Sequence, residues 1–79
     1  MAERDNENLK WLGERITQLR EQQGISQRAL AAQMGIDNST QYRREHGLTT
    51  WPVEELFSYA MVLNVHPSNL LRNGDASHN

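Results

Sequence analysis

Asn38, Ser39, Tyr42 and Arg43 are the residues of this chain best suited to specific recognition. At helical spacing all four fall on one face. A side-chain amide can donate and accept at once, which matches the edge of adenine, and a guanidinium fork matches guanine. One such bidentate pair gives about 1–3 kcal/mol of discrimination. A plainer reading stands beside this one. Asn38 and Ser39 can be first-turn capping residues, and Arg43 and Arg44 a solvated helix face. Catalytic chemistry is not supported, because no spacing sets a Ser, His or Asp nucleophile beside a base. There is no cysteine, and His46, His66 and His78 lack metal-ligand spacing. The chain therefore reads as a non-enzyme with no metal, no cofactor and no small-molecule substrate.

These residues need a helix to carry them, and the stretch from Gly24 to Gly47 supplies it. Ser26 can cap a helix on which Leu30 and Met34 lie four apart. Gly35 suits the left-handed residue that ends it. Ile36 is expected as a buried plug, Asp37 as the cap of the next helix, and Gly47 as its stop. Two short helices joined by a glycine-containing turn form a helix-turn-helix unit, whose second helix can enter the major groove of DNA.

Three further helices complete the expected fold. The first runs from a cap at Asp5 or Asn6 to about Gln23, with a stripe of Leu9, Leu12, Ile16 and Leu19. Trp11 lies off that stripe, placed to stack on Arg15 or to pack against the C-terminal part. The fourth has Pro52 at its first position and a stripe of Val53, Leu56, Ala60 and Leu63. Asn64 stops it and Val65 plugs the turn. Pro67 opens a short fifth helix, whose Leu70 and Leu71 close the core. Residues 6–74 read as one domain, flanked by disordered segments at 1–5 and 75–79.

A chain of 79 residues buries a modest core, so self-association is expected. No apolar run approaches the roughly 20 residues of a membrane span, and the N-terminus does not resemble a signal peptide. A small cytoplasmic protein with no membrane partner is expected. The net charge is −2, unevenly spread: −2 over residues 1–9, +2 over 10–47 and −2 over 48–79. The positive charge of residues 10–47 lies where a DNA face would need it, but it is thin. Non-specific affinity comes largely from phosphate neutralisation and should be weak here.

The segment LGERITQLREQQGISQRALAAQMGI, from Leu12 to Ile36, closely resembles the lambdoid phage repressor and Cro type of helix-turn-helix domain, the XRE family. YAMVLNVHPSNLLRNGD, from Tyr59 to Asp75, resembles that family's fourth and fifth helices. The resemblance spans roughly residues 10 to 74. It implies an all-α, five-helix, lambda-repressor-like DNA-binding domain with its helix-turn-helix at helices 2 and 3. It also implies a bacterial or phage-encoded transcriptional regulator, a repressor that binds a palindromic operator as a homodimer. Carried over by position, Gln27 would hold a phosphate through side chain and backbone amide, with Arg28 nearby over the DNA backbone. Asn38, Ser39, Tyr42 and Arg43 would face base edges. Arg20 and Glu45 would form a buried ion pair between the first and third helices.

The third helix departs from the family, which has apolar residues at the positions of Gln41 and Arg44. Burying an unpaired Arg costs several kcal/mol. If Tyr42 turns inward as the anchor, Gln41 and Arg44 turn out and Arg44 becomes a phosphate contact. If the family register holds, both are buried. The following loop lacks the family's basic residues and offers Leu48 and Trp51 instead, suited to a dimer or partner contact or to core packing. These departures support a second reading: a helix-turn-helix-derived protein-interaction module, binding an antirepressor or a toxin, with weak or no DNA binding.

Overall fold

A computed structural model describes residues 2–71, with side chains from residue 7 onward. Five helices follow in order: α1 Ala2–Gln22, α2 Gln27–Met34, α3 Asn38–Glu45, α4 Val53–Val62 and α5 Ser68–Leu71. No strand occurs among the described residues. α1 begins ahead of the expected cap at Asp5 or Asn6, and the tail expected over 75–79 lies outside the described residues.

Local chemistry accounts for the boundaries. The Ser26 hydroxyl accepts from the Ala29 amide at 3.0 Å, and Gly35 ends α2 in the left-handed region at φ 74°. Asp37 caps α3 by accepting from the Thr40 amide at 2.8 Å. Pro52 stands just outside α4 as its N-cap, without a side-chain cap bond; Glu54 and Glu55 in the first turn complement the helix dipole instead. Asn64 is left-handed at φ 59°, as a helix stop requires.

The apolar core joins Leu12, Ile16 and Leu19 of α1 to Leu30 of α2, Tyr59, Ala60 and Leu63 of α4 and its end, and Leu70 of α5. Trp11 packs against it. Arg15 donates from Nε to the Asn69 carbonyl at 2.8 Å, tying α1 to α5. Four expected core positions differ. Val53 and Leu71 are exposed, and Leu9 and Ile36 are only half-buried. In α4 and its C-cap the buried set is Tyr59, Ala60 and Leu63 with Leu56 partly buried, so Val53 falls outside the stripe, beside Phe57 and Met61.

Gly13 sets the crossing of α1 on α3. A Cβ there would lie 2.4 Å from the carbonyl oxygens of both Arg44 and Glu45. Gly47, at φ 71°, ends the α3 turn against α1, where a Cβ would sit 2.7 Å from the Lys10 Cα. Two glycines thus seat the C-terminal end of α3 directly on the α1 backbone.

Candidate nucleic-acid interface

The eight residues of α3 divide into two faces. Asn38, Ser39, Tyr42 and Arg43 are all exposed; Gln41, Arg44 and Glu45 are buried, and Thr40 is half-buried. Tyr42 does not turn inward, so the family register holds. The phosphate contact expected of Arg44 is thereby corrected: its side chain is 7% exposed and points into the protein.

The outward face is partly pre-arranged. The Ser39 hydroxyl lies 3.3 Å from Asp37 Oδ1, to which it donates. Bonds from the Thr40 side chain and amide, then from Ser39, hold the Asp37 carboxyl below its ordinary range, helped by the nearby Arg43 charge. The Tyr42 ring stacks on His46, with centroids 4.0 Å apart and planes 27° apart. His46 in turn bonds through Nδ1 to the Tyr42 carbonyl at 2.9 Å. Sequence reasoning did not single out His46 as a support for Tyr42, although the two are four apart on one helix face.

The inward face is a connected set of directional bonds. Arg44 Nη1 donates to Glu55 Oε1 at 2.6 Å and to the Tyr59 hydroxyl at 3.2 Å. That hydroxyl donates to Gln41 Oε1 at 2.5 Å, and Gln41 Nε2 donates to Glu45 Oε2 at 2.7 Å. Glu45 is also gripped from two other helices. Arg20 reaches it in bidentate fashion, Nε to Oε2 at 2.9 Å and Nη2 to Oε1 at 3.0 Å. Gln27 Nε2 donates to Oε1 at 3.1 Å, and the Thr17 hydroxyl lies 2.9 Å from the same oxygen. Burial alone would raise the Glu45 pKa, but the bonds from Arg20, Gln41, Gln27 and Thr17 outweigh it and hold the carboxyl below its ordinary value. Burial likewise lowers Arg44 less than its bonds to Tyr59 and Glu55 raise it, and burial raises the Tyr59 hydroxyl.

Gln27 therefore spends its side-chain amide on Glu45. As the first residue of α2, it keeps a backbone amide with no carbonyl one turn back to bond. Arg28 is exposed beside it. Of the six cations between residues 10 and 47, Arg20 and Arg44 are committed to internal pairs. Trp51 turns inward, edge-on to Tyr59 at 5.1 Å, with the Arg44 guanidinium 5.6 Å from its ring centre, while Leu48 stays exposed. Core packing is thus the place of Trp51. Sequence reasoning missed Tyr59 and Glu55 as the support of α3. The spacing of Tyr59 from Leu56 and Leu63 carried the signal for its burial.

The family model for helix-turn-helix domains matches residues 16–70. The chain belongs to the helix-turn-helix family, among its XRE-type DNA-binding transcription regulators. The restriction-modification controller protein C.AhdI from Aeromonas hydrophila has a similar crystal structure, with a TM-score of 0.77 and 29% identity over 82% of this chain and 94% of that one. No curated protein sequence matches the chain significantly. Among the described residues no helix is long and apolar enough to cross a membrane, and no three acidic, His or Cys residues gather as a metal would require.

Proposed function

We propose that this regulator is a cytoplasmic repressor that binds a palindromic operator as a homodimer, with α3 in the major groove. Asn38, Ser39, Tyr42 and Arg43 meet base edges. Arg28 and the Gln27 backbone amide hold phosphates at the start of α2. Repression follows from occupying the operator and requires no chemistry. The observation that carries this reading is the two-faced α3: every outward side chain is polar or aromatic and exposed, while every buried one is tied to a neighbouring helix.

A homodimer is supported by the outer side of α4, where Val53, Phe57 and Met61 lie four apart and exposed, Met61 at 80%. A C2 dimer would bury this apolar stripe and present two α3 helices to half-sites about one helical turn, ~34 Å, apart. The few free cations on α2 and α3 and the exposed Leu48 favour the second reading, a module that binds another protein.

Selection of bound duplexes from a random pool, followed by a salt titration, separates the two. The regulator should enrich inverted half-sites and lose affinity steeply as salt rises. If no duplex from the pool binds better than micromolar at low salt, the operator reading fails and the protein-partner reading takes its place.

A further inference from the structure

No Cα of α3 comes within 8 Å of a Cα of α4. The two helices are nevertheless joined, because long side chains bridge the gap. Tyr59 and Glu55 reach across from α4, and Gln41 and Arg44 meet them from α3. Tyr59 is fully buried, and its hydroxyl both accepts from Arg44 and donates to Gln41. Apolar contact across such a gap would fill space without choosing an angle, since dispersion has little directionality. Hydrogen bonds do choose one. The Gln41 amide is fixed at both ends, by Tyr59 on one side and Glu45 on the other.

We infer that Tyr59, with Arg44 and Glu55, is a positioning clamp for α3, which sets the roll of its outward face and thereby governs which base pairs that face reads, without touching DNA. The inference rests on the DNA-reading role proposed above. Gln41 lies one helical position before Tyr42, and Arg44 one after Arg43, so a roll of α3 moves both outward side chains together. Base readout depends on that roll, because a bidentate hydrogen bond tolerates little displacement. Phosphate contacts from Arg28 and α2 do not depend on it. Loosening the clamp therefore lowers discrimination and leaves sequence-independent affinity in place.

The test measures the affinity of the native chain and of Tyr59→Phe for the duplex enriched from a random pool and for a scrambled duplex, at one salt concentration. The readout is the ratio of the two affinities. A loss of folded fraction lowers both affinities equally and leaves the ratio unchanged, so a purely structural role does not move it. Tyr59→Phe is expected to lower the ratio about tenfold, the size of one lost base-pair preference, with binding to the scrambled duplex unchanged. An unchanged ratio overturns the clamp. Where Tyr59→Phe binds too weakly to measure, the variant with Gln41→Leu, Arg44→Met and Tyr59→Phe together takes its place. It fills the gap with apolar groups and leaves only Glu55, which is partly exposed and can be hydrated, without its partner; a native ratio in it also overturns the proposal. Enrichment of no duplex by the native chain itself is a distinct failure, which removes the DNA-reading role and the clamp with it.

Discussion

The Tyr59 hydroxyl donates to Gln41 Oε1 at 2.5 Å, one of three side-chain bonds between two helices whose backbones stand apart. With the bonds from Arg44 to Tyr59 and Glu55, it ties α4 to the helix that carries the recognition face. It also explains how α3 accepts polar residues where the family has apolar ones. Gln41 is buried with its amide satisfied, and Arg44 is buried with a carboxylate and a hydroxyl for partners.

Arg44 is not fully satisfied, because its Nε is buried without a partner. Glu55 remains 35% exposed and can be hydrated alone, and Tyr59 keeps its bond to Gln41. Replacing both members of a buried ion pair by apolar side chains is often stabilising, but removing one of them is not. The bonds of Arg44 outweigh its burial, so Arg44→Met should lower stability, by about 1–2 kcal/mol because Glu55 stays hydrated, as read by thermal unfolding. A rise of similar size would mean that the cost of burying the guanidinium outweighs its contacts with Glu55 and Tyr59.

Gly13 lies under the backbone of α3 with no room for a methyl group. The atoms it would strike are main-chain carbonyl oxygens, which cannot move aside as a flexible side chain does. Gly13→Ala should cost about 3 kcal/mol, at the upper end for overpacking. Gly24, left-handed but facing open space, is the control: Gly24→Ala should cost only about 1–2 kcal/mol, from backbone strain alone. Equal losses in urea denaturation would show that the α1–α3 crossing is not tight.

The helix-turn-helix was legible because its signals are local. A cap, a glycine and a four-residue spacing each act within one turn, and Ser26, Gly35 and Asp37 occupy those roles in the structure. The support of α3 was not legible for the opposite reason. Whether Gln41 and Arg44 face inward depends on partners 11 and 18 residues further along, Glu55 for one and Tyr59 for the other. Periodicity marks polar residues as outward, and nothing local contradicts that. Gly13 was silent as well, since a glycine inside a helix reveals a close crossing only once the second helix is in place.

Acid should loosen α3. The Glu45 carboxyl is held below its ordinary value, so its contribution is fully present above the unfolded pKa of about 4.3 and is lost as pH falls through the lower folded value. Stability from this group should be level between about pH 5 and 8 and decline below about pH 4. Carbon-detected NMR titration of the Glu45 side chain should give a midpoint below the usual glutamate range. A midpoint at or above that range would mean that Arg20, Gln41, Gln27 and Thr17 do not together overcome the cost of burial.

Arg43 is exposed on the outward face, and its guanidinium is free to meet a base edge. On the proposed docking, Arg43→Ala should weaken operator binding by about 1–3 kcal/mol and relax preference at one base pair. A solvated Arg near phosphates would behave differently, weakening all sequences alike and shallowing the salt dependence by about one unit. Repeating the duplex selection with the variant distinguishes these outcomes, and an unchanged preference removes Arg43 from base readout.

The outer stripe of α4 tests the proposed dimer. Phe57 and Met61 are exposed in the single chain, so a charge at either position should leave the fold intact. In a symmetric dimer each substitution places two like charges close together across the two-fold axis, in an apolar contact. Phe57→Glu and Met61→Glu should each shift the protein to monomer in sedimentation, with an unchanged helical signal. Binding to the full operator should fall by about tenfold or more, because two linked half-sites bind more tightly than one, while affinity for an isolated half-site stays the same. If both variants remain dimeric, the second copy sits on another surface and the α4 stripe is left for a different partner.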